Sequence, residues 1–206
     1  MMEKKQKQVR PTGKKVKESL SYTVEVRDKE GRIIKRVSAP SRSYVQQWNQ
    51  FLNVLAAHGD SKTIKDTAGV NQTVAISAWY YALQMNGAIA GINFGIRVGT
   101  GNTPVAIDDY ALESPCGEGA GTDEFKHQAV ICTAPSVVGP SCSFTLSRII
   151  LNISGASISV REIGSYFQNY QSGWFYFLGF RDVLPGAVNI PDGGSIRVTY
   201  TVSVTV

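Results

Sequence analysis

Ser195-Ile196-Arg197-Val198-Thr199-Tyr200-Thr201-Val202-Ser203-Val204-Thr205-Val206 alternates without a break. Every even position is Ile, Val or Tyr, and every odd position is Ser, Thr or Arg. Period two in β-branched and aromatic residues predicts a long strand with one buried and one wet face. Pro191-Asp192-Gly193-Gly194 before it is turn chemistry. A long terminal strand needs neighbours on its edges, because a bare edge invites aggregation. The rest of the chain is therefore read as the sheets that this strand completes.

The 206 residues suit one domain with an arm, large enough to bury a core. Apolar residues are 43% and charged ones 18%, a globular composition poor in charge. Abundant Gly, Ser, Thr and Val point to an all-β class. Charge is segregated. Seven of the 21 basic residues (Lys4, Lys5, Lys7, Arg10, Lys14, Lys15 and Lys17) and one of the 16 acidic residues, Glu3, fall in residues 1–17. The remaining 14 basic and 15 acidic residues leave the body close to neutral, which argues against a broad nucleic-acid-binding face. Residues 1–17 are an extended basic arm, read either as a solubilising tail or as a segment that orders on a negative partner. No stretch approaches the ~20 apolar residues of a membrane helix. No apolar segment of a secretory signal follows the basic start, so synthesis in a cytoplasm is expected.

Along the body, Ser19–Arg27 and Arg32–Val37 form a hairpin around Asp28-Lys29-Glu30-Gly31, with Gly31 at a positive-φ position. Tyr44, Val45, Trp48, Phe51, Leu52, Leu55 and Ala56 make one helical stripe, predicting an amphipathic helix over residues 43–58. Ser41 or Ser43 can cap it, and Gly59 can end it. Its other face (Gln46, Gln47, Asn49, Gln50, Asn53) is polar but uncharged, as a subunit contact would be. Further strands are read over residues 71–83, 92–98, 125–134, 141–154, 157–167, 174–183 and 188–190. In the 141–154 strand the apolar phase changes from even (Cys142, Phe144, Leu146) to odd (Ile149, Leu151, Ile153), which predicts a bulge near Ser147-Arg148. Crossover helices for parallel βαβ units are missing. The expected fold is all-β: an antiparallel, jelly-roll-like β-sandwich of residues 18–206 with one amphipathic helix and the basic arm.

Motifs for chemistry are sparse. His58 and His127 lie near no nucleophile motif, and the metalloprotease and hydrolase signatures are absent. Val98-Gly99-Thr100-Gly101-Asn102-Thr103-Pro104 lacks the Gly-Lys-Ser/Thr ending of a phosphate loop, so a tight turn explains its glycines better. Asp108-Asp109 and Glu113 read as turn residues, with Ca²⁺ as the alternative. Asp123, Glu124 and Glu162 are isolated carboxylates. Cys116, Cys132 and Cys142 have no metal spacing, though Cys132 and Cys142 could meet across strands. Tyr166, Tyr170, Trp174 and Tyr176 make an aromatic patch suited to a core, an interface or a sugar face. No catalytic residue, cofactor or metal is assigned.

Three segments, taken in order, resemble small structural proteins of tailed bacteriophages. They are Val98–Pro104 with Asp108–Leu112, Ile149–Ile153 with Ile158–Gly164, and Phe180–Leu184 leading into Ile190–Ser195 and the terminal strand. The resemblance spans roughly residues 92–206, and the Gly-rich loop Pro115–Asp123 departs from it. It implies a virion subunit with no enzymatic residues to carry over. The expected partners are other virion proteins and further copies of the chain, with nucleic acid reached through the arm alone and no membrane. A receptor- or carbohydrate-binding module of a phage fibre is the alternative.

Overall fold

A computed structural model describes residues 17–41, 44–56, 61–74, 83–170 and 173–205. Its elements in chain order are β1 (Lys17–Arg27), β2 (Ile33–Ser41), α1 (Gln46–Ala56), β3 (Lys62–Lys65), β4 (Asn71–Val74), β5 (Gly95–Gly99) and β6 (Gly117–Glu118). There follow β7 (Glu124–His127), β8 (Ile131–Cys132), β9 (Ser136–Val138), β10 (Ser141–Leu151), β11 (Ile158–Tyr170), β12 (Trp174–Ile190) and β13 (Ser195–Thr205). The described chain is mostly β, in several sheets, with one helix.

The terminal strand β13 lies inside the eight-stranded sheet, not at its edge. The order is β2-β1-β13-β10-β7-β6, with β8 and β9 also on β10. β13 pairs antiparallel along its whole length with β1, from Arg27↔Ser195 to Lys17↔Thr205. On the other side it pairs equally fully with β10, from Leu151↔Ser195 to Ser141↔Thr205. Both rows of its backbone groups are therefore engaged. Its even positions Ile196, Val198 and Tyr200 are buried beside Leu20, Tyr22, Val24 and Val26 of β1 and Leu146 and Ile150 of β10. A one-residue slip would turn this whole set outward. Each buried Ile or Val contributes about 1.5–3 kcal/mol, so burial fixes the register.

The three-stranded sheet β12-β11-β5 contributes to the same core, through Ile96, Val98, Val160, Ile163, Phe167, Phe177, Phe180 and Val188. Tyr200 links the two sheets: its hydroxyl donates to Asp182 Oδ2 of β12 at 3.0 Å. Ser41, at the end of β2, donates to the same oxygen and lies five residues before the start of α1 at Gln46, outside the N-cap position. α1 lays Phe51 on Phe167 (centroids 4.7 Å) and Phe177 (6.2 Å). Its described span is shorter than the expected 43–58. Tyr44 makes a bridge with Phe180, and residues 42–43 and 57–60 lie outside the described residues. The polar face is not wholly exposed either, since Gln47 is fully buried and its amide has no partner among the described residues.

β3 and β4 form a hairpin, β4 lying at the start of the expected 71–83 strand, and Ile64 and Val74 are its buried residues. Asp66 Oδ1 accepts from the amides of Ala68 and Val70 and so holds the turn. The expected strand 71–83 is described only to Val74, with residues 75–82 outside. The 125–134 strand is two short pieces, β7 and β8. Between Pro135 and Pro140, where no strand is read from the sequence, lies β9. Residues 174–183 and 188–190 are one continuous β12.

No bulge near Ser147-Arg148 interrupts the β10–β13 ladder, which keeps one register throughout; on the other side of β10 the register slips by one between Ser147↔Ile131 and Ile150↔His127, with the extra residue on the partner side. The apolar phase changes for another reason: Arg148 takes the inward even position and is buried. Its guanidinium donates to four carbonyl oxygens, those of Gln128 (2.6 Å), Ile96 (3.0 Å), Ala88 (2.9 Å) and Gly91 (2.7 Å). Within single strand pairs, register shifts lie between β11 and β12, at Val160/Glu162 and Ser165/Tyr166, and between β1 and β2 at Val26/Arg27.

Replacing Arg148 removes the donors of those carbonyls at once. Arg148→Met is expected to cost about 3 kcal/mol or more in urea unfolding. Arg148→Lys is expected to recover only part, because an ammonium cannot span the same fork of acceptors. A Met variant as stable as the parent would contradict this account of the interior.

Candidate functional site

A buried polar cluster forms where residues 99–116 cross the β5 end of the three-stranded sheet. Glu162 of β11 is fully buried. Its Oε2 accepts from Arg181 Nε (2.9 Å) and the Glu113 amide (3.1 Å), and its Oε1 from the Ser114 amide (2.8 Å). Arg181 of β12, also buried, donates to Asp109 Oδ2 (2.7 Å) and to the Thr103 carbonyl (3.1 Å). Glu113 Oε2 accepts from the Asn102 and Thr103 amides. Burial alone would lower the Arg181 pKa, but its hydrogen bonds to Asp109 and Glu162 raise it. The Glu113 carboxyl is held low, chiefly by the Thr103 amide. Glu162, read from sequence as isolated, is the anchor of this loop. Asp109 also accepts from the Ala106 amide, so the turn reading of Asp108-Asp109 holds. No group of three or more potential metal ligands occurs among the described residues.

The glycines of this loop are needed for close approach and not for a left-handed turn. A Cβ on Gly99 would lie 2.6 Å from Glu162 Oε1 and from the Ser114 carbonyl oxygen. One on Gly101 would lie 2.6 Å from Glu113 and Glu162. A cleft of about 250 Å³ opens over the cluster, lined by Thr103, Asp109, Tyr110, Leu112, Glu113 and Arg181. With the Glu162 oxygens committed to backbone amides and Arg181, the cluster's chemistry is that of a clamp on the loop.

A second polar group lies under β7. The buried His127 ring meets Glu118 Oε2 through Nδ1 at 2.8 Å, and Nε2 has no partner among the described residues. Burial lowers the His127 pKa to about 4 against the pull of Glu118, helped by the charges of Arg148 and Arg97. Arg97 donates to the Ile92 and Cys116 carbonyls. Burial pushes the Cys116 thiol up to about 12, so it is no nucleophile at neutral pH. Cys132 lies opposite Leu146 and Cys142 opposite Val137, four positions apart on β10, and all three thiols are free.

The aromatic patch divides into three. Tyr166 is buried in the core, and its hydroxyl accepts from the Leu112 amide at 2.8 Å. Tyr176 stacks on Phe94, with centroids 6.4 Å apart and planes 8° apart. Only Tyr170 (37% exposed) and Trp174 (44%) reach the surface together, edge to face at 5.1 Å, where β11 turns into β12. The arm residues Lys4, Lys5, Lys7, Arg10, Lys14 and Lys15, like His58, lie outside the described residues, and Lys17 begins β1. The site that sequence reasoning missed is an edge. Residues 131–140 are exposed throughout, among them Ile131, Val137 and Val138. A short run between two prolines carries too little periodicity to reveal a strand.

No family model, no curated protein and no solved structure matches this chain.

The burial of neutral His127 sets a pH dependence. Above pH 6.5, its ordinary value, the ring is neutral whether the chain is folded or unfolded. Below that, the unfolded chain takes up a proton that the folded ring refuses until about pH 4. Stability therefore falls as pH drops through this window, by up to about 3 kcal/mol. Urea midpoints between pH 7 and 5 should show the slope, and His127→Gln should flatten it. An unchanged slope in the variant would sink this assignment.

Proposed function

We propose that the chain is a structural subunit of a bacteriophage particle, at the tail, neck, baseplate or capsid surface. On this reading it is made in the host cytoplasm and ends in the virion. The two facing sheets act as a jelly-roll-like β-sandwich that serves as a building block and not as a catalyst. The observation that carries the reading is the uncharged edge at residues 131–140, where every residue is exposed among the described residues. Soluble chains guard such edges, and assembling chains use them. The buried carboxylate Glu162 supports it too, because its oxygens hold a loop in place. The basic arm (Lys4, Lys5, Lys7, Arg10, Lys14, Lys15, Lys17) is assigned to a neighbouring subunit or to nucleic acid. Any nucleic-acid contact through it should weaken steeply with salt.

A second reading, a receptor- or carbohydrate-binding module of a phage fibre, rests on one feature. Tyr170 and Trp174 stand exposed at a hairpin end, as rings that stack on sugars do.

Purified particles from a lysate of the encoding phage decide between these. The chain is expected to co-sediment with them. Removing residues 1–16 is expected to lower its incorporation without moving the melting temperature. Absence from the particles would overturn the first reading. Loss of host adsorption in Trp174→Ala, with incorporation intact, would move the conclusion to the second.

A further inference from the structure

The two ends of the eight-stranded sheet are defended unequally. At one end β2 carries Lys35, Arg36 and Pro40, the residue types that keep a strand edge from pairing with another chain. At the other end β9 pairs only with β10, and its far edge is unpaired among the described strands. Val137 is 73% exposed and Val138 75%, and Ile131 of neighbouring β8 is 62% exposed. From Gln128 to Ser147 there is no Asp, Glu, Lys, Arg or His. Pro135 and Pro140 bracket the strand, limiting any added pairing to the few residues between them. Val137 lies opposite Cys142, so the two side chains share a face. On that face an apolar cleft of about 340 Å³ opens, lined by Pro135, Cys142, Phe144, Val202 and Val204.

We propose that β9 pairs antiparallel with β9 of a second copy, joining two eight-stranded sheets edge to edge about a two-fold axis. The inference rests on the reading of the chain as an assembling subunit and names one of its contacts. A two-fold contact sets the same patch against itself, which suits a surface with no charge to repel its own image. A partner selected by charge would gain nothing here. The two-fold contact uses the β9 edge of each copy once, so it closes as a pair and does not run on as a fibre.

Size sets its strength. At the area per residue of ordinary interfaces, residues 131–140 bury roughly 300–400 Å² per copy, well under the ~800 Å² of a standard one. The contact is therefore weak in dilute solution and filled where other contacts hold copies together at high effective concentration.

Sedimentation velocity of the full chain, under reducing conditions, tests this. A monomer–dimer equilibrium is expected with Kd on the order of 0.1–1 mM. Val138→Lys should raise that Kd at least about tenfold, since like charges then meet across the axis. It should leave the melting temperature unchanged, because the side chain is exposed. Lys35→Glu, on the guarded edge, should leave the Kd unchanged. A chain still monomeric at about 1 mM, or a dimer indifferent to Val138→Lys, overturns the proposal. The parent reading fails separately: a chain that dimerises through β9 yet is missing from particles would sink the virion assignment alone. A chain found in particles yet monomeric would sink only this pairing.

Discussion

The fold depends on a backbone constraint. A strand in the middle of a sheet must have both rows of its N–H and C=O groups paired, and for β13 those partners lie far apart in the sequence. β1 begins at residue 17 and β10 at residue 141, while β13 begins at residue 195. The sheet cannot close until the last strand enters the slot between the other two. Its side chains then enter the core, and Tyr200 reaches across to Asp182 on the three-stranded sheet. Pairing, burial and the link between sheets thus converge on one strand. Such long-range closure is slow to form, because chain entropy is lost before contacts repay it.

Around that frame the interior is unusually polar. Arg148 ends on four main-chain carbonyls and Arg181 on carboxylates and a carbonyl. The physical logic is the same for both. Segments 86–93 and 100–114 have little regular structure, so their backbone groups need partners from elsewhere. A planar guanidinium with five donors can serve several at once. The arginines and Glu162 thereby do for these loops what ladder hydrogen bonds do for the strands.

This explains what the sequence could and could not reveal. Period two exposed β13, β1 and the hairpin to β2, because those strands have one wet face. The helical stripe placed Phe51 and Trp48 against a sheet. The phase change in β10 misled, because a charged residue at an inward position looks like a break in the pattern. Its carbonyl partners lie 20 to 60 residues away in sequence, where no local period can register them. Glu162 looked isolated for the same reason, its loop partners being 48 and 49 residues distant. Gly99 and Gly101 were legible as special, but their cause, the approach of Glu162, belongs to tertiary structure. β9 was hidden because a strand of three residues bracketed by prolines is too short to show a period.

Amide hydrogen exchange along β13 tests the central claim most directly. If the strand closes the sheet, the amides of Val198–Val202 exchange only through global unfolding, and their protection matches the stability measured by denaturant. Their partners in β1 and β10 should fall in the same slowest class. Faster exchange in β13 than in β11 and β12 would show a terminal strand loosely added to a finished fold, and would contradict the account.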